Sequence, residues 1–137
     1  MTLKQTAQLL ILSTALLLAA ACAQTQPPSW ITAAGNGVAA PGRSVGAAAR
    51  AAKDAALQEA RTQIWNNLLN EKIPRHPQGL TIEQMAATQP SFSAKLRRLI
   101  GSLEPDDIRQ DGDGKYTITL KIDRNAVYHL AEPYLYN

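Results

Sequence analysis

Between Val45 and Arg61 alanine recurs so densely that the backbone has one strongly preferred conformation. Alanine is the best helix former, because it loses no side-chain entropy on ordering. Ser44 stands where an N-cap belongs, and the pattern predicts one long helix running to about Asn70. Leu57, Ala60, Ile64 and Leu68 recur at three- and four-residue steps and give that helix one apolar face. Ala48, Ala52 and Ala56 carry the face toward the N-terminus, while Arg50, Lys53, Asp54, Glu59 and Arg61 fall mostly elsewhere around the wheel. A face lined by methyl groups lets its partner approach closely. A sheet would serve, and so would the same helix from a second subunit.

The segments around this helix are punctuated by clear signals. Upstream, Trp30-Ile31-Thr32-Ala33 reads as a strand that stops at a Gly35-Asn36-Gly37 turn or bulge. That triplet lacks the glycine spacing and the following Lys-Ser/Thr of a phosphate loop. Downstream, Pro74, Pro77 and Gly79 end the long helix. Thr81 with Gln84 forms a capping box for a short helix through Ala87. Pro90 and Ser91 open another, whose apolar side is Phe92, Leu96, Leu99, Ile100 and Leu103. Tyr116, Ile118, Leu120 and Ile122 alternate with Thr117, Thr119 and Lys121, which predicts a half-buried strand. Asp111-Gly112-Asp113-Gly114 before it reads as a hairpin turn, with Asp106–Gln110 as a short or edge partner strand. A calcium loop starting at Asp111 fails, because Lys115 and Ile122 would occupy ligand positions. Asn125 to Leu130 is expected to form a final helical turn, and Pro133-Tyr134-Leu135-Tyr136 to pack as an extended end.

The first residues carry a different kind of information. Lys4 is followed by a near-continuous apolar run from Leu9 to Ala21, broken only by Ser13 and Thr14. This is the length of a signal-peptide core and short of the roughly 20 residues a spanning helix needs. Leu18-Ala19-Ala20-Ala21-Cys22 then matches a lipobox, with cleavage between Ala21 and Cys22 and acylation, palmitate included, on the cysteine. Ala19 stands where leucine is commoner. Cys22 is the only cysteine in the chain, and a single thiol in an oxidising compartment could pair only with another molecule. Ala23 lacks the carboxylate that argues for inner-membrane retention, so the expected location is the outer membrane, periplasmic face. The organisation read here is a signal peptide over 1–21, a lipidated tether over 22–29 and one domain over 30–137. Two or three acyl chains make release negligible, since each buried methylene contributes about 0.8 kcal/mol.

Little else in the sequence carries chemistry. A net charge of +3, evenly scattered, excludes an electrostatic argument for nucleic acid. Lys95, Arg97 and Arg98 are the one basic cluster, read as a solvated helix face rather than an anion or phospholipid-headgroup site. Lipid consumes the only thiol, His76 and His129 sit in a proline-flanked linker and in the tail, and no Gly-x-Ser-x-Gly elbow or zinc spacing occurs. Glu104, Asp106 and Asp107 mark a solvated turn rather than an acid/base pair. Trp30, Trp65 and Tyr134 read as core or interface anchors. No enzyme, cofactor or metal is expected.

Pro28-Ser29-Trp30-Ile31, Gly35-Asn36-Gly37, Ala51-Ala52-Lys53-Asp54-Ala55-Ala56 with Glu59-Ala60-Arg61, and Gly112-Asp113-Gly114-Lys115-Tyr116-Thr117-Ile118 occur in an order that resembles the Lpp-twenty (twenty-kilodalton surface lipoprotein) family. Its relatives include the flagellar outer-membrane lipoprotein FlgP and the amino-terminal domain of the flagellar assembly protein FlgT. The resemblance implies an α+β fold: a three-stranded antiparallel sheet packed on one long Ala-rich helix, strand–helix–strand–strand, plus short helices. It implies no active-site residues. The expected role is structural or assembly work in the cell envelope, with flagellar association as one option. Self-association or docking would use the Ala-rich helix face or a sheet edge. The alternative is a periplasmic ligand-binding module, which would need an enclosed apolar pocket.

Overall fold

The computed structural model describes residues 29–136. The expected signal peptide, its cleavage site at Ala21 and Cys22, and the expected tether up to Pro28 lie outside the described residues. In chain order the elements are β1 (Trp30–Val38), α1 (Val45–Leu69), α2 (Ile82–Thr88), α3 (Pro90–Gly101), β2 (Asp107–Gln110), β3 (Lys115–Asp123), α4 (Arg124–Ala131) and a 3-10 turn (Glu132–Tyr134). The sheet order is β1-β3-β2, antiparallel throughout, so the first and last strands of the sequence lie side by side. This is the α+β architecture expected, with α1 as its long helix.

The sheet and α1 fit together through missing side chains. Ala48, Ala52, Ala56, Ala60, Ile64 and Leu68, every fourth residue of α1, are buried in one line. On β1 burial alternates strictly, with Ile31, Ala33, Gly35 and Gly37 facing the helix. A Cβ on Gly35 would overlap the Ala56 carbonyl and the Ala60 amide, and one on Gly37 would overlap the Ala52 carbonyl. Helix backbone therefore rests on strand backbone, antiparallel to it, with alanine methyls as the only spacers. This corrects the expected turn at Gly35-Asn36-Gly37. The strand runs through all three residues to Val38, and the two glycines are inward positions left empty for the helix.

The second half of α1 carries Ile64 and Leu68 in place of alanine and stands in a core of large side chains. Phe92, Leu96, Ile82, Met85, Leu120, Ile122 and Val127 are fully buried with them. Each such side chain contributes about 1.5–3 kcal/mol through removal from water. Among the described residues the core spans Ile31–Ala131.

Local chemistry explains most element boundaries. The Thr81 hydroxyl accepts from the Gln84 amide at 3.2 Å and the Gln84 side chain accepts from the Thr81 amide at 3.0 Å, a complete capping box. Ser44 occupies the N-cap of α1, yet its side chain makes no capping bond. Gly112 and Gly114 both take positive φ (73° and 68°) and let the β2–β3 turn close, with the Asp111 amide donating to the Lys115 carbonyl at 2.9 Å. Leu103 lies beyond α3, which ends at Gly101. The tail differs from expectation. Arg124–Ala131 is a two-turn helix capped by Asp123, and Pro133-Tyr134 continues it as a 3-10 turn instead of an extended end. Proline is compatible with that first turn, where its missing N–H has no partner to lose. Tyr134 meets Phe92 edge to face at 5.9 Å, which holds the turn against α3.

Candidate functional site

The alanine face of α1 is occupied by the chain's own sheet and offers nothing to a second molecule. This corrects the expectation that it serves self-association. What stays open is the other side of the sheet and the β1 edge. Trp30, Thr32, Ala34, Asn36 and Val38 point away from α1, and β3 sets Asp123, Lys121, Thr119, Thr117 and Lys115 opposite them. Across β3 this surface continues to Asp107 and Arg109. It is polar and internally bonded. The Lys121 ammonium lies over the Trp30 ring at 5.2 Å and pairs with Asp106 at 2.6 Å. The Thr117 hydroxyl lies 2.9 Å from both the Asn36 side-chain oxygen and an Asp111 carboxylate oxygen. Arg109 pairs with Asp111 at 2.8 Å. Such exposed pairs contribute about 0–1 kcal/mol each and set the surface pattern more than stability.

The β1 edge is the less usual feature. Trp-Ile-Thr-Ala-Ala-Gly-Asn-Gly-Val is nine residues long and has no charge, proline or bulge, the usual means of blunting an edge strand. Among the described residues its one protection is the Glu59 carboxylate, which reaches from α1 and accepts the Asn36 N–H. Trp30 is 51% exposed and Val38 65%, one at each end of the strand.

The candidates read from sequence do not converge. The basic cluster splits across α3. Arg97 stacks on Trp65 at 4.5 Å, beside Arg61, whose buried Nε has no hydrogen-bond partner. On the other side Lys95, its ammonium 5.5 Å from the Tyr134 ring centre, and Arg98 both line a groove against α4. Asp106 pairs with Lys121 while Glu104 and Asp107 are exposed, so the acidic trio forms no acid/base site. His76 accepts from the Gln78 amide in its own loop at 3.2 Å, and His129 contacts Glu132 at 3.1 Å. No group of metal-ligating side chains occurs among the described residues.

A cleft of about 470 Å³ between the 73–75 loop and α4 includes Arg75, Tyr128, His129 and Glu132. Beside it, Glu71 accepts from Arg124 at 3.1 Å and from the Tyr128 hydroxyl at 3.3 Å. Burial raises the Tyr128 pKa, and the neighbouring Glu71 charge and hydrogen bond raise it further, against a smaller opposing effect of Arg124. This trio ties the α1–α2 loop to α4. No family model, curated protein or solved structure matches the chain.

Proposed function

We propose that this chain is a lipid-anchored envelope protein of the outer membrane's periplasmic face, with a structural or assembly role and no catalysis. Support for the anchor comes from Cys22 at the end of its apolar run. The observation that carries the assembly role is the uncharged nine-residue β1 edge, which begins one residue after the tether. An unpaired edge is a template for strand addition, in which main-chain hydrogen bonds supply affinity and alternate side chains supply selectivity. A second copy or an envelope partner would extend the sheet there, with Trp30 and Val38 at the two ends of the contact. A flagellar setting is one option within this reading.

The ligand-binding alternative has less behind it. Between α1 and the sheet no space remains, and the clefts among the described residues open at the surface. The decisive experiment combines native mass of segment 29–137 over a concentration series with crosslinking of the full chain in envelopes. Association that Ala34→Pro abolishes is expected. A strict monomer with no crosslinked partner would overturn the assembly role. Labelled palmitate incorporation that disappears in Cys22→Ser tests the anchor independently.

A further inference from the structure

A second surface, unrelated to the β1 edge, lies between α3 and α4. Leu99, Ala126 and Leu130 form the floor of an open groove of about 620 Å³, with Lys95, Arg98, Ser102 and His129 around it. The groove is apolar inside and cationic at its rim. Neither Lys95 nor Arg98 has a carboxylate partner among the described residues; the Lys95 ammonium lies over the face of Tyr134. Leu99 and Leu130 pack against the core with one side and leave the other to the groove.

Its position in the chain gives this surface meaning. The Ser29 carbonyl accepts from the Arg124 amide at 2.7 Å, at the first residue of α4. Ala126, in the groove, is two residues further on. The tether therefore reaches the domain at the first residue of α4, the helix that forms one wall of the groove. From Cys22 to Ser29 the chain spans at most about 3.3–3.6 Å per residue, which holds Ser29, at the start of α4, within roughly 25 Å of the lipid on Cys22. The tether itself, Ala-Gln-Thr-Gln-Pro-Pro, is polar and uncharged and complements neither the floor nor the rim. An anionic phospholipid surface complements both: phosphate for Lys95 and Arg98, interfacial acyl carbons for Leu99 and Leu130.

We infer that the α3–α4 groove is a membrane-contact site for anionic phospholipid, docking the domain flat against the bilayer that its lipid holds. The inference rests on the anchored reading above and adds a second attachment point to it. The anchor and the groove act together, because a short tether to the bilayer raises the effective concentration of lipid at the groove.

Segment 29–137 contains no cysteine, so a single fluorophore can be placed at His129→Cys in the groove or at Asp54→Cys on the exposed side of α1. Each is titrated with vesicles of phosphatidylglycerol and phosphatidylcholine in equal parts, and with phosphatidylcholine alone. The expected result is a blue shift at position 129 with the anionic vesicles only, and none at position 54. Lys95→Gln with Arg98→Gln should weaken binding roughly thirtyfold, from the usual contribution of a basic side chain at an anionic surface. Both charges are exposed, so thermal melting of the double variant should match the parent. No vesicle binding, an equal response at both label positions, or binding indifferent to the two substitutions would each overturn the site. Palmitate labelling of Cys22 in the full chain runs separately. Groove binding without acylation would retire the anchor while leaving the groove standing, and acylation without groove binding would do the reverse.

Discussion

The two halves of α1 face opposite packing regimes. Its first half lies on β1 with glycine against alanine, backbone almost touching backbone. Its second half meets Phe92, Leu96, Ile82 and Met85 through Ile64 and Leu68, with full-sized side chains filling the gap. The first region is intolerant of any added atom. The second is sensitive to removed atoms and tolerant of reshaping. A close seam fixes where the helix lies, while a side-chain core supplies most of the burial energy.

The sharpest way to break this contrast is Gly37→Val. Its Cβ would enter the Ala52 carbonyl, and neither backbone can yield without unseating helix or strand. The cost should exceed the roughly 1–3 kcal/mol of ordinary overpacking. Loss of a cooperative thermal transition is expected, and a folded variant with near-parental melting would refute the close seam. Leu96→Ala in the other region should cost about 2–5 kcal/mol by leaving a cavity, and Leu96→Met less than about 1.5 kcal/mol. Denaturant unfolding of the pair would show whether the second half behaves as a side-chain core.

Capping gives a finer test. Thr81→Ala should cost about 1 kcal/mol, because the Gln84 amide at the start of α2 loses the hydroxyl that accepts from it. Ser44→Ala should cost much less, since that hydroxyl caps nothing. Equal losses in urea unfolding would contradict the difference between the two helix starts. The smallest effect belongs to Tyr128. Its pKa is higher in the folded chain than the ordinary value of 10.0. The protonated phenol is thus favoured by folding, and its contribution is complete below pH 10 and fades as pH rises through the folded value. Tyr128→Phe should therefore show a shallower alkaline loss of stability than the parent above pH 10, measured as the difference between their melting curves.

The legible parts of the sequence were those with local causes. The period of α1, the Thr81–Gln84 box and the Asp111–Gly114 hairpin each follow from neighbours a few residues apart. Gly35 and Gly37 were misread because glycine is locally a turn residue, and their reason lies in a helix fifteen residues or more away along the chain. The clue was present, since Ile31, Ala33, Gly35 and Gly37 keep one period-two register. Glu59 on the Asn36 amide, the Trp30–Lys121 contact and the α3–α4 groove combine side chains from distant segments, and no spacing rule joins them.

Trp30 and Asp123 are paired across almost the whole length of the domain. The sheet cannot close until its third strand exists, so β1, though first out of any N-to-C delivery, must wait for the end of the chain. Contacts of such high sequence separation form late and slowly. Delivered N-terminus first, the nine uncharged residues of β1 therefore stay without their partner strand until most of the domain has emerged.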